Sequence, residues 1–265
     1  MKNPILSALI ITFALSACSA PKDIRPIDLT EEFKSYGVEG CFIVYDVKNG
    51  YYTAYNQERC MTGFLPASTF KILNSLIILD TGAVSNTSQV IEWDGTVYSY
   101  ENWNSDQTLA SAFKVSAVWV FQELARKVGA TKMLYYLNLC DYGNKNISAG
   151  VDKFWLEGNF RITPIAQVDF LAKLVKRELP FPAKTVEELQ SIMHFESGYG
   201  YDIYAKTGFA VRVSPQIGWW IGFVDTPDNT YCFAVNIESA DPGPDFAPAR
   251  IAIAKAGLKK LGILP

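Results

Sequence analysis

A serine and a lysine stand three residues apart where an apolar helix is predicted to begin. Ser68 and Lys71 therefore share one helix face, because residues three apart in an α-helix are neighbours. The apolar run over residues 72–79, closed by Gly82, predicts a buried helix of about three turns. A neutral amine at this range accepts a serine proton, and unpaired N–H groups at a helix start stabilise an oxyanion. The pair predicts a covalent acyl-transfer site, although an ordinary solvated helix start fits the same residues.

Two tripeptides follow this pair in a fixed order. Ser116-Ala117-Val118 is expected to open a second helix, and Lys206-Thr207-Gly208 lies inside a strand-like run over residues 203–213. Acyl transfer to a serine uses a second hydroxyl that relays protons and a cation that holds a substrate carboxylate. Gly208 is expected to let a substrate lie close to the strand backbone. Each tripeptide is ordinary by itself, but their joint order is specific to this chemistry.

From about Gly40 to the C-terminus, the chain resembles the class D (oxacillinase-type) serine β-lactamases. The segments that carry the resemblance are Pro66-Ala67-Ser68-Thr69-Phe70-Lys71, Ser116-Ala117-Val118, Tyr142-Gly143-Asn144, Trp155-Leu156-Glu157-Gly158, Lys206-Thr207-Gly208 and Arg250. The resemblance implies an α/β (α+β) fold of the β-lactamase/transpeptidase type. In that fold an antiparallel sheet is flanked by N- and C-terminal helices and joined to a mostly helical second lobe. The implied activity is hydrolysis of the β-lactam ring of penicillin-type antibiotics, which gives antibiotic resistance.

Val118 indicates which general base to expect. Other serine β-lactamases place Asn at this position and often recruit a glutamate, whereas an apolar residue facing Lys71 suits a different base. By resemblance, that base is Lys71 after reaction with CO₂ or bicarbonate to give a carbamate (N6-carboxylysine), and no metal or other cofactor is implied. Burial among Phe70, Val118 and Trp155 would lower the lysine pKa and keep the amine neutral for this reaction. By resemblance, the Trp155 indole holds a carbamate oxygen, whereas its residue type alone fits a core aromatic equally well.

The resemblance also assigns the remaining site residues. Ser116 relays protons to the leaving nitrogen, and backbone N–H groups of Ser68 and Phe209 form the oxyanion hole. Lys206, Thr207 and Arg250 hold the substrate carboxylate, although Arg250 alone fits an ordinary surface arginine. The substrate-binding residues are thus Val118, Lys206, Thr207, Gly208, Phe209 and Arg250.

Two other kinds of protein share these motifs. A penicillin-sensing receptor domain is acylated without turnover, but such domains are normally fused to a membrane segment. No stretch after the N-terminal segment is long and apolar enough to span a bilayer. A cell-wall peptidase of the same fold is disfavoured by Val118. The sequence therefore favours the hydrolase.

Residues 1–17 have the pattern of a signal peptide. Lys2 supplies the positive region, and residues 5–15 form an apolar stretch too short to cross a bilayer. Leu15-Ser16-Ala17-Cys18 resembles a lipoprotein processing box, in which Cys18 becomes the lipidated first residue and anchors the protein to the membrane. Ordinary cleavage near Ala20 is the alternative. Both readings predict a periplasmic protein whose residues 18–265 form a single catalytic domain.

The cysteines and the one histidine constrain the remaining chemistry. Cys41 and Cys60 flank a predicted hairpin, and an oxidising compartment makes them the favoured disulfide pair. Cys140 and Cys232 lie in apolar runs and are expected to be buried free thiols. His194, predicted at a helix end, has too few potential partners for a zinc site or a Ser-His-Asp triad.

Composition and periodicity agree with one sizeable core. The chain has 265 residues, 49% of them hydrophobic, and its net charge of −3 without a basic stripe argues against nucleic acid as a partner. The predicted partner is a small β-lactam, whereas substrate spectrum and oligomeric state stay open. Predicted strands cover residues 41–46, 51–55, 203–213, 217–224 and 231–237, and predicted helices cover 116–128, 131–139, 163–178, 186–193 and 246–261.

Overall fold

The computed structural model describes residues 22–265, which form a seven-stranded sheet with helices on both faces and a separate two-stranded sheet of Val90–Ile91 and Gln107–Thr108. The strands are β1 (Ile24–Pro26), β2 (Glu39–Asp46), β3 (Tyr51–Tyr55), β4 (Val90–Ile91), β5 (Gln107–Thr108), β6 (His194–Gly198), β7 (Tyr201–Ala210), β8 (Gln216–Asp225) and β9 (Thr230–Ser239). The α-helices are α1 (Thr30–Ser35), α2 (Gln57–Cys60), α3 (Lys71–Asp80), α4 (Leu109–Val115), α5 (Val118–Val128), α6 (Ala130–Leu139), α7 (Pro164–Val175), α8 (Ala183–Met193) and α9 (Phe246–Lys260). The signal-peptide and Cys18 predictions lie outside the described residues.

The sheet runs in the order β1-β3-β2-β9-β8-β7-β6. Short turns join β2 to β3, β7 to β8 and β8 to β9, and these neighbours pair antiparallel as predicted. The short edge strand β1 pairs parallel to β3, which the sequence does not reveal because three residues carry no detectable periodicity. The motif strand β7 lies one place in from the opposite edge, between β6 and β8.

Both faces of the sheet are buried, and strand β9 shows why. Its residues alternate, since Cys232 and Ala234 face the core shared with the helical lobe. Phe233 and Val235 face a second core formed with the N- and C-terminal helices α1 and α9. A side-chain period of two therefore places one apolar set under each helical layer. This architecture confirms the predicted fold class.

Three predictions of helix ends are wrong for local reasons. Ser116 does not open a helix, because it caps the end of α4 in the left-handed region at φ 61°, and α5 begins only at Val118. Helix α7 ends at Val175 rather than near Glu178, since Arg177 also has a positive φ of 59°. His194 does not end a helix but begins the edge strand β6. The other predicted helices and strands are found within a few residues of their expected ends.

The Cys41–Cys60 disulfide expected from the sequence is not present. Cys41, Cys60, Cys140 and Cys232 are all free and buried within residues 22–265. Cys60 instead lies in α2 with its Sγ 3.8 Å from the carbonyl oxygen of Phe42. The Cys60 thiol also neighbours the thiol of Cys41, so the two side chains lie together as free thiols. Cys140 and Cys232 are the buried free thiols that the sequence predicts.

No helix of residues 22–265 is both long and apolar enough to cross a membrane.

Candidate active site

The serine and lysine of the first motif lie side by side at the start of α3. Ser68 belongs to a 3₁₀ turn, Ala67–Phe70, and Lys71 is the first residue of the α-helix itself. Lys71 Nζ lies 2.8 Å from Ser68 Oγ, within hydrogen-bond distance. Ala67, immediately before the serine, has a φ of 49°, a strained conformation for a residue with a Cβ. Such strain persists only where neighbouring contacts hold the backbone.

Hydrogen bonds from distant elements hold this turn in place. The Trp219 indole donates to the carbonyl of Leu65 at 2.9 Å, and Gln167 of α7 donates to Thr69 Oγ1 at 2.8 Å. The Tyr142 hydroxyl donates to Gln167 Oε1 at 2.9 Å, which completes a buried chain. Tyr142 belongs to a motif segment, but no sequence signal marks Gln167 or Trp219. Both are found only through their contacts with the turn.

Lys71 is fully buried and has no carboxylate partner among the described residues. Its Nζ lies 5.1 Å from the centre of the Phe121 ring. Burial, with the charge of Lys206 nearby, holds the pKa of Lys71 well below its usual range. The amine therefore loses its proton more readily than an ordinary lysine, and in its neutral form it can accept a proton from Ser68 or react with CO₂.

The second and third motifs meet beside this pair. Lys206 Nζ donates to Ser116 Oγ at 3.1 Å and to the carbonyl of Thr207 at 3.0 Å. The left-handed cap at Ser116 is closed by a hydrogen bond from the Ala117 N–H to the Ala112 carbonyl. This cap turns the serine hydroxyl toward β7. Burial, with the charge of Arg250, lowers the pKa of Lys206 to about 7.

Gly208 serves the nucleophile turn as well as the cleft. A Cβ at this position would lie 2.9 Å from the Pro66 carbonyl oxygen and 3.2 Å from the Thr69 nitrogen, so no side chain fits. The close approach of β7 to the turn is thus a structural reason for glycine, whereas the sequence suggested space for substrate. Arg250 of α9 donates to the Gly208 carbonyl, and burial lowers the pKa of Arg250 to about 10.

Trp155 lies under the nucleophile turn with an unused donor. Its ring stacks on Phe70 at 5.3 Å between centroids and is fully buried. Its Nε1 has no hydrogen-bond partner in the described part of the chain. A buried N–H without an acceptor costs free energy, and the same holds for Trp220 Nε1 on the other side of the sheet.

A cleft of about 410 Å³ opens above these groups. Predicted site residues line it, namely Ser68, Ser116, Val118, Thr207, Gly208, Phe209 and Arg250. Leu156 of the Trp155 segment also lines it, as do residues that the motifs do not mark, namely Tyr98, Tyr100, Trp103, Val115, Trp119, Gln122, Val211 and Arg212. The cleft therefore offers an apolar, aromatic wall opposite a polar floor that carries the nucleophile.

Comparison with known proteins assigns this arrangement to a family. The model of the penicillin-binding protein transpeptidase domain matches residues 40–260. β-Lactamase OXA-48 of Klebsiella pneumoniae is 43% identical over 210 residues, which cover 79% of this chain and 78% of that protein. A solved class D β-lactamase, YbXI from Nostoc, superposes with a TM-score of 0.87 at 40% identity, covering 90% of this chain and 100% of that one. The chain belongs to the class D β-lactamase family.

A receptor domain is also similar to this family member. The C-terminal domain of the Bacillus licheniformis BlaR penicillin receptor has a TM-score of 0.88 at 33% identity, covering 93% of this chain and 99% of that one. The same fold therefore occurs in class D β-lactamases and in a penicillin receptor.

The single histidine lies away from the cleft. His194 Nε2 is 2.9 Å from Ser197 Oγ on the exposed edge of the sheet, and neither residue lines the active-site cavity. Within residues 22–265, no group of three or more His, Cys, Asp or Glu side chains is arranged to hold a metal ion.

Proposed function

We propose that this class D β-lactamase hydrolyses the β-lactam amide of penicillin-type antibiotics through an acyl-enzyme on Ser68. Resistance to those antibiotics would follow. Ser68 Oγ attacks the ring carbonyl, the C–N bond breaks, and a proton reaches the leaving nitrogen by way of Ser116. Water then attacks the ester and releases the opened product. The cleft supplies the surface that excludes bulk water from these steps.

In this proposal, basic and polar groups orient the substrate. Lys206, Thr207 and Arg250 bind the substrate carboxylate, because Thr207 and Arg250 line the cleft, the buried Lys206 bonds the cleft residue Ser116, and an anion would relieve the repulsion between the two cations. Backbone N–H groups of Ser68 and Phe209 face the developing oxyanion. The close approach of β7 to the nucleophile turn at Gly208 supports this pairing of donors.

The general base is Lys71 as its carbamate. The neutral amine attacks CO₂, an N–C bond forms, and a proton leaves the nitrogen, so an uncharged side chain becomes an anion. One observation carries this proposal: Lys71, a buried amine without a carboxylate partner among the described residues, follows Phe70, whose ring stacks on Trp155, and Trp155 Nε1 is a buried donor without an acceptor there. A carbamate oxygen would satisfy that donor, and its negative charge would offset the positive charge of Lys206.

Turnover in the absence and presence of bicarbonate tests the mechanism. Enzyme depleted of CO₂ should hydrolyse the chromogenic β-lactam nitrocefin slowly, and added bicarbonate should restore the rate. ¹³C NMR of enzyme given labelled bicarbonate should show a carbamate resonance that Lys71→Met lacks. Full turnover after verified CO₂ removal, without that resonance, would mean that Lys71 acts as a plain amine.

A penicillin-sensing role is the second candidate, favoured by the similarity to the BlaR receptor domain. Intact-protein mass spectrometry separates the two roles, because a sensor keeps the penicilloyl adduct while a hydrolase loses it within turnover times. Ser68→Ala should show no adduct in either case, because Ser68 carries the hydroxyl that pairs with the buried amine of Lys71.

We further propose export to the periplasm, with Cys18 lipidated and attached to the membrane. The motivation is the processing box formed by residues 15–18. Wild-type protein should then label with a palmitate analogue and fractionate with membranes, whereas Cys18→Ser should be unlabelled and released by osmotic shock. An unlabelled, freely released wild type would favour ordinary signal cleavage.

A further inference from the structure

One face of helix α5 connects the floor of the cleft to the loop that carries Trp155. Val118, Gln122 and Arg126 follow one another at intervals of four residues and therefore share that face. Val118 and Gln122 line the cleft. Gln122 Nε2 donates to the carbonyl oxygen of Asp152 at 2.9 Å, and Arg126 Nη1 donates to the side chain of Asp152 at 2.7 Å.

The bond from Gln122 is a long-range contact to backbone whose other backbone hydrogen bonds are local turns. Phe154 N donates to the Gly150 carbonyl at 3.0 Å, and Leu156 N donates to the Lys153 carbonyl at 2.7 Å. The Asp152 carbonyl lies inside the first of these turns, and Gln122 is its only hydrogen-bond donor among residues 22–265. A side chain in the cleft wall thus ties the turn that leads into Trp155 to helix α5.

The position of that turn matters because a hydrogen bond forms only when the donor–acceptor distance is correct to within a few tenths of an ångström. Donor and acceptor must lie about 2.7–3.2 Å apart. Lys71 is placed by α3, while Trp155 is placed by a loop without regular structure. Helix α5 contacts both, because its Phe121 ring lies beside Lys71 Nζ and its Gln122 bonds the loop. Helix α5 therefore fixes the position of the Trp155 loop relative to Lys71.

We propose that Gln122 is a positioning residue that holds the Trp155 loop at the distance at which the indole N–H meets a carbamate on Lys71. The inference rests on the proposed function and deepens it. Loss of the Gln122 bond would weaken carbamate retention and slow deacylation, while acylation of Ser68, which does not involve Trp155, would change less.

Arg126 provides a matched control on the same helix face. Its bond reaches the Asp152 side chain rather than the backbone, and its side chain is 55% exposed. Exposed ion pairs contribute little to stability because solvent screens them and ordering two long side chains costs entropy. Arg126→Met should therefore leave the Trp155 loop in place.

The experiment measures the bicarbonate concentration that half-saturates the carbamate resonance of full-length enzyme in ¹³C NMR. Gln122→Met, which has similar size but no donor, should raise it about fivefold, the shift expected for one ordinary hydrogen bond. Gln122→Lys restores a donor, so its half-saturating bicarbonate concentration should lie within about twofold of wild type. The same is expected for the control Arg126→Met. Pre-steady-state nitrocefin kinetics should show accumulated acyl-enzyme in Gln122→Met alone, which added bicarbonate partly removes.

The outcomes separate this inference from the mechanism on which it rests. If wild-type activity depends on bicarbonate but the half-saturating bicarbonate concentration is unchanged in Gln122→Met, only the positioning role is overturned. If the half-saturating bicarbonate concentration shifts equally in Gln122→Met and Gln122→Lys, Gln122 acts through packing and not through its hydrogen bond. That result would also overturn the positioning role. If Gln122→Met fails to fold, Gln122→Glu serves instead, because its carboxylate cannot donate to a carbonyl. A wild type without any carbamate resonance overturns both proposals together.

Discussion

Replacing Trp155 by phenylalanine removes one N–H donor but keeps an aromatic ring against Phe70, so it isolates the proposed carbamate bond. The two native rings stack at 5.3 Å, a contact that a phenylalanine ring largely retains. A hydrogen bond to a charged acceptor contributes about 1.5–3 kcal/mol. Because about 1.4 kcal/mol corresponds to tenfold in an equilibrium constant, the bicarbonate needed for half-saturation should rise about 10- to 100-fold.

The measurement is a titration with labelled bicarbonate followed by ¹³C NMR, with nitrocefin turnover at each concentration. Trp220→Phe is the matched control, because the Trp220 Nε1 is also buried without a partner but lies in the core on the other side of the sheet. Its midpoint should stay within about twofold of wild type, since it loses no bond to the carbamate. Trp155→Phe should also accumulate acyl-enzyme, because deacylation needs the base.

Equal midpoints for Trp155→Phe and wild type would refute the reasoning. The buried donor would then have no acceptor even in the modified enzyme, and the carbamate would be held by other groups. A midpoint shift of the same size in Trp220→Phe would instead point to a general loss of stability.

Three further predictions concern the substrate cations and the buried hydrogen-bond chain. Arg250→Ala should raise KM for benzylpenicillin far more than it changes kcat, and an unchanged KM would remove Arg250 from the site. KM should also rise as pH increases through about 7, because Lys206 loses its charge there, and bicarbonate should move that rise to higher pH because a carbamate anion favours the ammonium. Lys206→Arg should flatten the pH dependence of KM, because arginine keeps its charge. If the pH dependence persists in this variant, a group other than Lys206 titrates. Gln167→Leu should lower the free energy of unfolding by about 1–3 kcal/mol, since Tyr142 loses its acceptor. The double variant Gln167→Leu with Tyr142→Phe should lose less free energy of unfolding than Gln167→Leu alone, as measured by urea denaturation. An equal or larger loss would mean that packing, not the unpaired Tyr142 hydroxyl, causes the destabilisation.

The sequence by itself determined the local geometry of the site. Ser68 and Lys71 are adjacent because three residues is nearly one helical turn, and this holds whatever surrounds the helix. The apolar runs over residues 217–224 and 231–237 likewise predicted strands β8 and β9. The order of the motifs, read through the family resemblance, then identified which lysine and which second serine would meet that pair.

Only the tertiary structure decided what holds these groups and what else meets them. Ser116 caps α4 rather than opening α5, because the Ala117 N–H finds the Ala112 carbonyl. Position 208 requires glycine because its strand, β7, packs closely against the nucleophile turn, which is distant in the chain. Gln122 leaves no pattern in sequence, since its bond to a backbone carbonyl depends on where another loop arrives. Local spacing fixes neighbours within one element, whereas contacts between elements depend on the packing of the whole core.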